Sequence, residues 1–154
     1  MAPGWQAVAL AQPAAPIPPA ALDAAALGVV AAFVPAILGD SMLPAAPDAR
    51  KQAIEACAYG VGVSVGFMPL LNQEGVRGLF AFLRQGPQAI HPSLPKTWAE
   101  MSPPAMQTAL QGLRFGEKPE GRTMYAALIA LIAGAWYASP QTWNAIHYPG
   151  PPQL

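Results

Sequence analysis

The side chains able to do chemistry in this 154-residue chain are few and scattered. A single cysteine, Cys57, can build neither an internal disulfide nor a cysteine-rich zinc or iron–sulfur site. Cys57 lies in an apolar stretch, which favours a buried thiol over the other reading, a thiol that pairs with another subunit. His91 and His147 stand far apart, and neither belongs to a His-x-x-x-His or Cys-x-x-Cys pattern. Ser64 has no acid or base near it in sequence, and Asp40 and Glu117 read as solvated loop charges. Nucleophilic or acid–base catalysis needs such groups within reach of one another, and nothing in the spacing assembles them. The run from Gly60 through Gly62 to Gly66 resembles a dinucleotide-binding loop only superficially. Its third glycine is displaced by one, no strand precedes it and no acidic residue follows at the required distance. The chain therefore offers no catalytic, cofactor-binding or metal-ligating set of its own.

Composition points elsewhere. Charged residues make up 10% of the chain, against about 25% in typical globular domains. Eight basic and eight acidic residues balance to zero, so there is no basic field for nucleic acid and no polybasic strip for anionic lipid. With 53% hydrophobic residues, a free monomer is expected to expose more apolar surface than the few hundred Å² that soluble monomers carry. A partner is expected to cover it.

The elements that must position these residues are helical. Residues 1–20 hold Pro3, Pro13, Pro16, Pro18 and Pro19 and form an extended arm or leader. Ala9-Leu10-Ala11 within it looks like the close of a signal peptide, although no basic residue precedes it. Residues 21–154 form one helical domain, large enough to bury a core unaided. Leu27, Val30, Val34, Ile37 and Leu38 recur at helical spacing, with Asp23 near the start and Pro35 placed to kink or break the helix. Asp48 is positioned to cap a second helix through Ile54, Cys57 and Val61. Tyr59 to Phe67 alternates at the strand period of two, yet a lone strand has nothing to pair with, so helix is preferred, with Gly62 and Gly66 allowing close packing. Asn72 caps a third helix that presents Val76, Leu79, Phe80 and Leu83 on one face. Trp98 opens a short turn, Ser102-Pro103 starts a fourth helix, and Arg114 to Arg122 reads as a loop. Met124 to Ala138 carries no charge and is apolar on every face. Fifteen residues fall short of the about 20 that a membrane span needs, so this is the fully buried central helix of a bundle. The fold class is all-α, a compact bundle of about five helices with extended arms.

Ser139-Pro140 stops that helix and starts a short one, after which Pro149, Pro151 and Pro152 favour an extended tail. The closing segment, with Trp136-Tyr137, Pro140 followed by Trp143, then Tyr148, Gly150 and Pro151, resembles the C-terminus of the gluconate 2-dehydrogenase subunit 3 family. Trp98, Ser102-Pro103, Leu110 to Arg114, and Tyr125 with Leu128 to Tyr137 are similar to further features of that family. The chain departs from it in having no arginine before Arg50, where relatives carry a twin-arginine leader, and in Ile146-His147, where a glycine commonly precedes the tyrosine.

The resemblance implies a non-catalytic small subunit that stabilises, matures or escorts the large subunit of an exported sugar or alcohol dehydrogenase complex. The large subunit would be an FAD enzyme of the glucose-methanol-choline type, haem c could reside in a multihaem cytochrome as a third subunit, and no cofactor would sit in this chain. Localisation would be periplasmic or at the periplasmic face of the inner membrane, without a membrane span. Trp98, Tyr137, Trp143, Tyr148, Gly150 and Pro151 are then the expected residues of tail packing or the partner interface, with Cys57 as the candidate intersubunit thiol. An alternative is a free-standing helical module whose inter-helical cavity binds a hydrophobic ligand.

Overall fold

Six helices follow one another in the computed structural model, which describes residues 21–143, 147, 149 and 150. They are α1 (Ala24–Leu38), α2 (Pro47–Gly66), α3 (Leu70–Leu83), α4 (Pro103–Phe115), α5 (Pro119–Ala138) and the single-turn α6 (Pro140–Trp143). Short 3₁₀ turns at Asp40–Met42, Pro87–Ala89 and Trp98–Glu100 punctuate the connections. The described residues contain no strand, so the fold is an all-α bundle as the periodicity requires.

The helix starts show which local signals decide. The Asp23 side chain accepts from the Ala26 amide at 2.9 Å and caps α1. Arg84, just past the end of α3, pairs with the same carboxylate, and together these bonds hold it below its usual range. Ser102 caps α4 through the Ala105 amide at 3.3 Å, with Pro103 in the first turn. Three expectations need correction. Pro47 opens α2 after Ala46, so Asp48 stands in the first turn and is not the cap. Pro69 precedes α3, which places Asn72 inside the helix. Pro119 opens α5, so the polar stretch from Arg114 to Arg122 is not a loop but mostly the end of α4 and the start of α5. In both α2 and α5 a proline supplies the start, since its fixed φ suits the first helical turn and its missing N–H has no bond to lose there. Pro35 does not end α1, which runs three residues further to Leu38.

The core is built from α1, α2 and α5, with α3 and α4 closing its sides. Phe33, Val30 and Val34 of α1, Val61 and Val65 of α2, Phe80 and Leu83 of α3, and Leu128 and Ile132 of α5 are essentially inaccessible. Trp98 packs its ring on Phe33, centroids 4.9 Å apart, and its indole N–H donates to the Leu83 carbonyl at 2.8 Å. The loop that carries it turns at Gly86, whose φ of 94° and close approach to the Lys96 carbonyl leave no room for a side chain. The α5 helix is not buried on all sides, as its uncharged sequence suggests. Leu128, Leu131, Ile132, Ala135 and Trp136 face inward, whereas Ala126, Ala130 and Gly134 are exposed. Small size lets these residues meet water at little hydrophobic cost, so an uncharged run can still be amphipathic. No helix among the described residues is long and apolar enough to cross a membrane.

Candidate docking surface

Two features meet at Phe67. The first is a ridge at the turn from α2 to α3, where Phe67, Leu70 and Leu71 are 70%, 74% and 78% exposed. Here α2 and α3 are separated only by Phe67, Met68 and Pro69. Phe67 N–H donates to the Ser64 carbonyl at 3.2 Å, and the Gln73 side-chain amide donates to the Met68 carbonyl at 2.9 Å. These bonds fix the corner from beneath while its large side chains project outward.

The second feature is an open groove of about 1000 Å³ between α2, the Ser41–Pro44 turn, and the junction of α5 with α6. Along α2 its lining includes small residues about one turn apart, Ala49, Ala53, Ala56 and Gly60. At Gly60 the two walls come together, since an added Cβ would lie 3.4 Å from that of Ala135. Tyr59, Phe67 and Trp136 supply aromatic surface, and no lining residue is charged. Ser64, also in the lining, is bound back to its own helix, Oγ donating to the Gly60 carbonyl at 2.9 Å. Trp136 is buried and its indole N–H has no acceptor among the described residues, a condition that costs about 1–3 kcal/mol for a neutral donor.

Cys57 borders the groove but is only 5% exposed. Its thiol donates weakly to the Ile132 carbonyl at 3.7 Å, and burial pushes its pKa up to about 11. A thiol in that state is poorly nucleophilic at neutral pH.

The remaining candidate residues are dispersed. His91 is exposed, with Nδ1 2.7 Å from the Ser93 hydroxyl, and His147 is exposed beyond α6. Asp40 pairs with Arg50 at 2.6 Å on the surface. Gly60, Gly62 and Gly66 lie within α2, where consecutive helical turns cannot form a phosphate-cradling loop. Among the described residues no group of three or more His, Cys, Asp or Glu could hold a metal ion.

Of the expected interface residues, Tyr137 is half exposed, and its carbonyl accepts from the Trp143 indole at 2.9 Å. Gly150, at φ 93°, lies against the Trp143 ring, where a Cβ would approach to 3.0 Å. Gly150 therefore lies back against α6. Trp98 is directed into the bundle against Phe33 instead. Tyr148 and Pro151, like the leader 1–20, lie outside the described residues. Sequence reasoning missed Phe67, Leu70 and Leu71, although an apolar pair directly after Pro69 was a legible signal of a helix start with its first turn unpaired. No family model, curated protein or solved structure matches the chain.

Proposed function

We propose that this chain is the non-catalytic small subunit of an FAD-dependent sugar or alcohol dehydrogenase complex of the glucose-methanol-choline type, docking on and stabilising the large flavoprotein. The observation that carries the docking role is the exposed ridge of Phe67, Leu70 and Leu71. Full burial of each such side chain contributes about 1.5–3 kcal/mol, and three adjacent ones form the kind of apolar patch that marks a protein interface. The identity of the partner comes from the resemblance of the aromatic tail. The FAD, and any haem c in a multihaem cytochrome, belong to the other subunits, in a periplasmic complex.

The test is affinity purification of the tagged chain from its native host. A large flavoprotein should co-purify in stoichiometric amount, and the double variant Leu70→Glu/Leu71→Glu should lose it while keeping the helical circular dichroism of the parent. Recovery of the partner with the double variant would remove the ridge from the interface. Co-purification of a large protein without flavin would remove the dehydrogenase reading and leave the ridge.

A further inference from the structure

Along α2 the groove is lined by Ala49, Ala53, Ala56, Gly60, Val63 and Phe67. Successive members of this row are four, three, four, three and four residues apart, the alternation of the a and d positions of a heptad. Residues so spaced fall on one line of a helix, the line along which a second helix packs side by side. Phe67, the residue that caps the end of α2, keeps right-handed helical dihedrals, so the line continues through it. The α5 helix touches the line at Gly60, where an added Cβ would lie 3.4 Å from that of Ala135. Ala49, Ala56 and Phe67 are exposed, and Ala53 and Val63 are half-buried.

The order of sizes along this seam fits a second copy of the same helix. A second α2 laid antiparallel, with a two-fold axis at the level of Ala58, sets Ala49 against Phe67, Ala53 against Val63 and Ala56 against Gly60 of the other copy. Each large side chain then faces a small one. The smallest pair meets at the centre, where the two backbones come closest. Past Ala49 the groove is lined by the Ser41–Pro44 turn, so the Phe67 ring of the other copy, 70% exposed in the single chain, enters an apolar recess. A parallel pair would set Phe67 on Phe67 and hold the helices apart at that end. Charge selects the same direction. Asp48, Arg50, Lys51 and Glu55 all stand in the N-terminal half of α2, and residues 57–66 carry no charge. The antiparallel pair places each charged half beside an uncharged one, whereas a parallel pair would bring identical charges together.

We infer that this chain forms a symmetric dimer through the groove, the α2 helices of two copies packing antiparallel along the seam from Ala49 to Phe67. The seam is about 27 Å long at 1.5 Å per residue, and with the α5–α6 wall beside it the contact face is about two helix diameters, about 20 Å, wide. That face covers on the order of 500 Å² per copy, or about 1,000 Å² in total, the lower bound for a specific interface. A dimer of this size exchanges with monomer on dilution. It engages Phe67 and leaves Leu70 and Leu71 of the ridge to another protein, and it stands whether or not the large partner is a flavoprotein.

Sedimentation of the full-length chain should show a reversible monomer–dimer equilibrium. Ala56→Phe, at an exposed position, puts a ring where the two backbones are closest and should weaken dimerisation about tenfold or more, with unchanged helical circular dichroism. Leu70→Glu/Leu71→Glu should leave the dimer intact. The register is read by crosslinking in a Cys57→Ala background, which has no native thiol. Chains with Ala53→Cys mixed with tagged chains with Val63→Cys should form the mixed disulfide under mild oxidation about fivefold or more in excess of Ala53→Cys self-linking. In the antiparallel register the two copies of position 53 stand about 15 Å apart along the axis, beyond the reach of a disulfide. A chain that stays monomeric at every concentration, as when the groove holds a small molecule instead, overturns the dimer. Self-linking of Ala53→Cys equal to the mixed product, or a dimer unmoved by Ala56→Phe, overturns the seam. A dimer lost with Leu70→Glu/Leu71→Glu assigns self-association to the ridge and overturns it as well.

Discussion

The two sides of α2 make an instructive contrast. On one side Cys57, Ala58, Val61, Gly62 and Val65 are buried against α1 and α5. On the other Ala49, Ala53, Ala56 and Gly60 line an open groove that ends at the exposed Phe67. Both sides are uncharged and rich in small residues, so composition alone does not say which is core. What separates them is size at the contact: β-branched valines fill the space toward α1, while alanine and glycine leave space unfilled toward the groove. A small-residue face packs tightly only when another backbone comes to meet it, and α5 does so at Gly60, where an added Cβ would lie 3.4 Å from that of Ala135.

The strongest way to break this contrast is to cut into the core side. Phe33→Ala removes a ring that is fully inaccessible and packed by the tilted ring of Trp98, and should cost about 3–5 kcal/mol in denaturant unfolding. A loss under 1 kcal/mol would mean that the bundle centre is far looser than described. Trp98→Phe keeps most of the ring but deletes its bond to the Leu83 carbonyl. That change should cost about 0.5–1.5 kcal/mol, read as a lower unfolding midpoint with an unchanged m-value.

Titration sharpens the same boundary. The Cys57 thiol is pushed up from 9.0 to about 11 by burial. A group that ionises more readily in the unfolded chain weakens the fold as pH rises through that interval. The parent should therefore lose stability between pH 9 and 11 in a way that Cys57→Ala does not, and alkylation should accelerate only above pH 10. Rapid alkylation at pH 8 would move Cys57 from the core to the groove. At the acid end, the depressed Asp23 carboxyl contributes stability present above its ordinary value of 3.8 and lost as pH falls through its lower folded value. Asp23→Asn retains a capping oxygen and should flatten that acid loss, checked by melting temperatures between pH 6 and 2.

The smallest expected effect lies on the ridge. Leu71→Ser changes a side chain that is 78% exposed and should alter the stability of the isolated chain by less than about 0.5 kcal/mol. A loss comparable with that of Phe33→Ala would show that the ridge belongs to this chain's own core.

Much of the bundle was legible because helical spacing and caps agree. Ser102-Pro103 opens α4, Ser139-Pro140 separates α5 from α6, and the alternating stretch from Tyr59 to Phe67 is helix because no partner strand exists among the described residues. Helix starts were less legible where proline acts in place of a polar cap, at Pro47, Pro69 and Pro119. Spacing identifies an apolar face but not what covers it, which is why the groove and the ridge emerged only from the packing. The exposed side of α5 escaped for a related reason, since alanine and glycine carry almost no sign of inside or outside.

The anchorage of α1 also has a mechanical meaning. Ala21 is bonded to the Gly62 carbonyl, and two residues later Asp23 is clasped by Arg84 of the α3 end. A pull on the polypeptide ahead of Ala21 is thus shared with α2 and the end of α3 before it reaches the hydrogen-bond ladder of α1. Tension applied there would load the bundle across its width, and α1 would be spared from unwinding turn by turn.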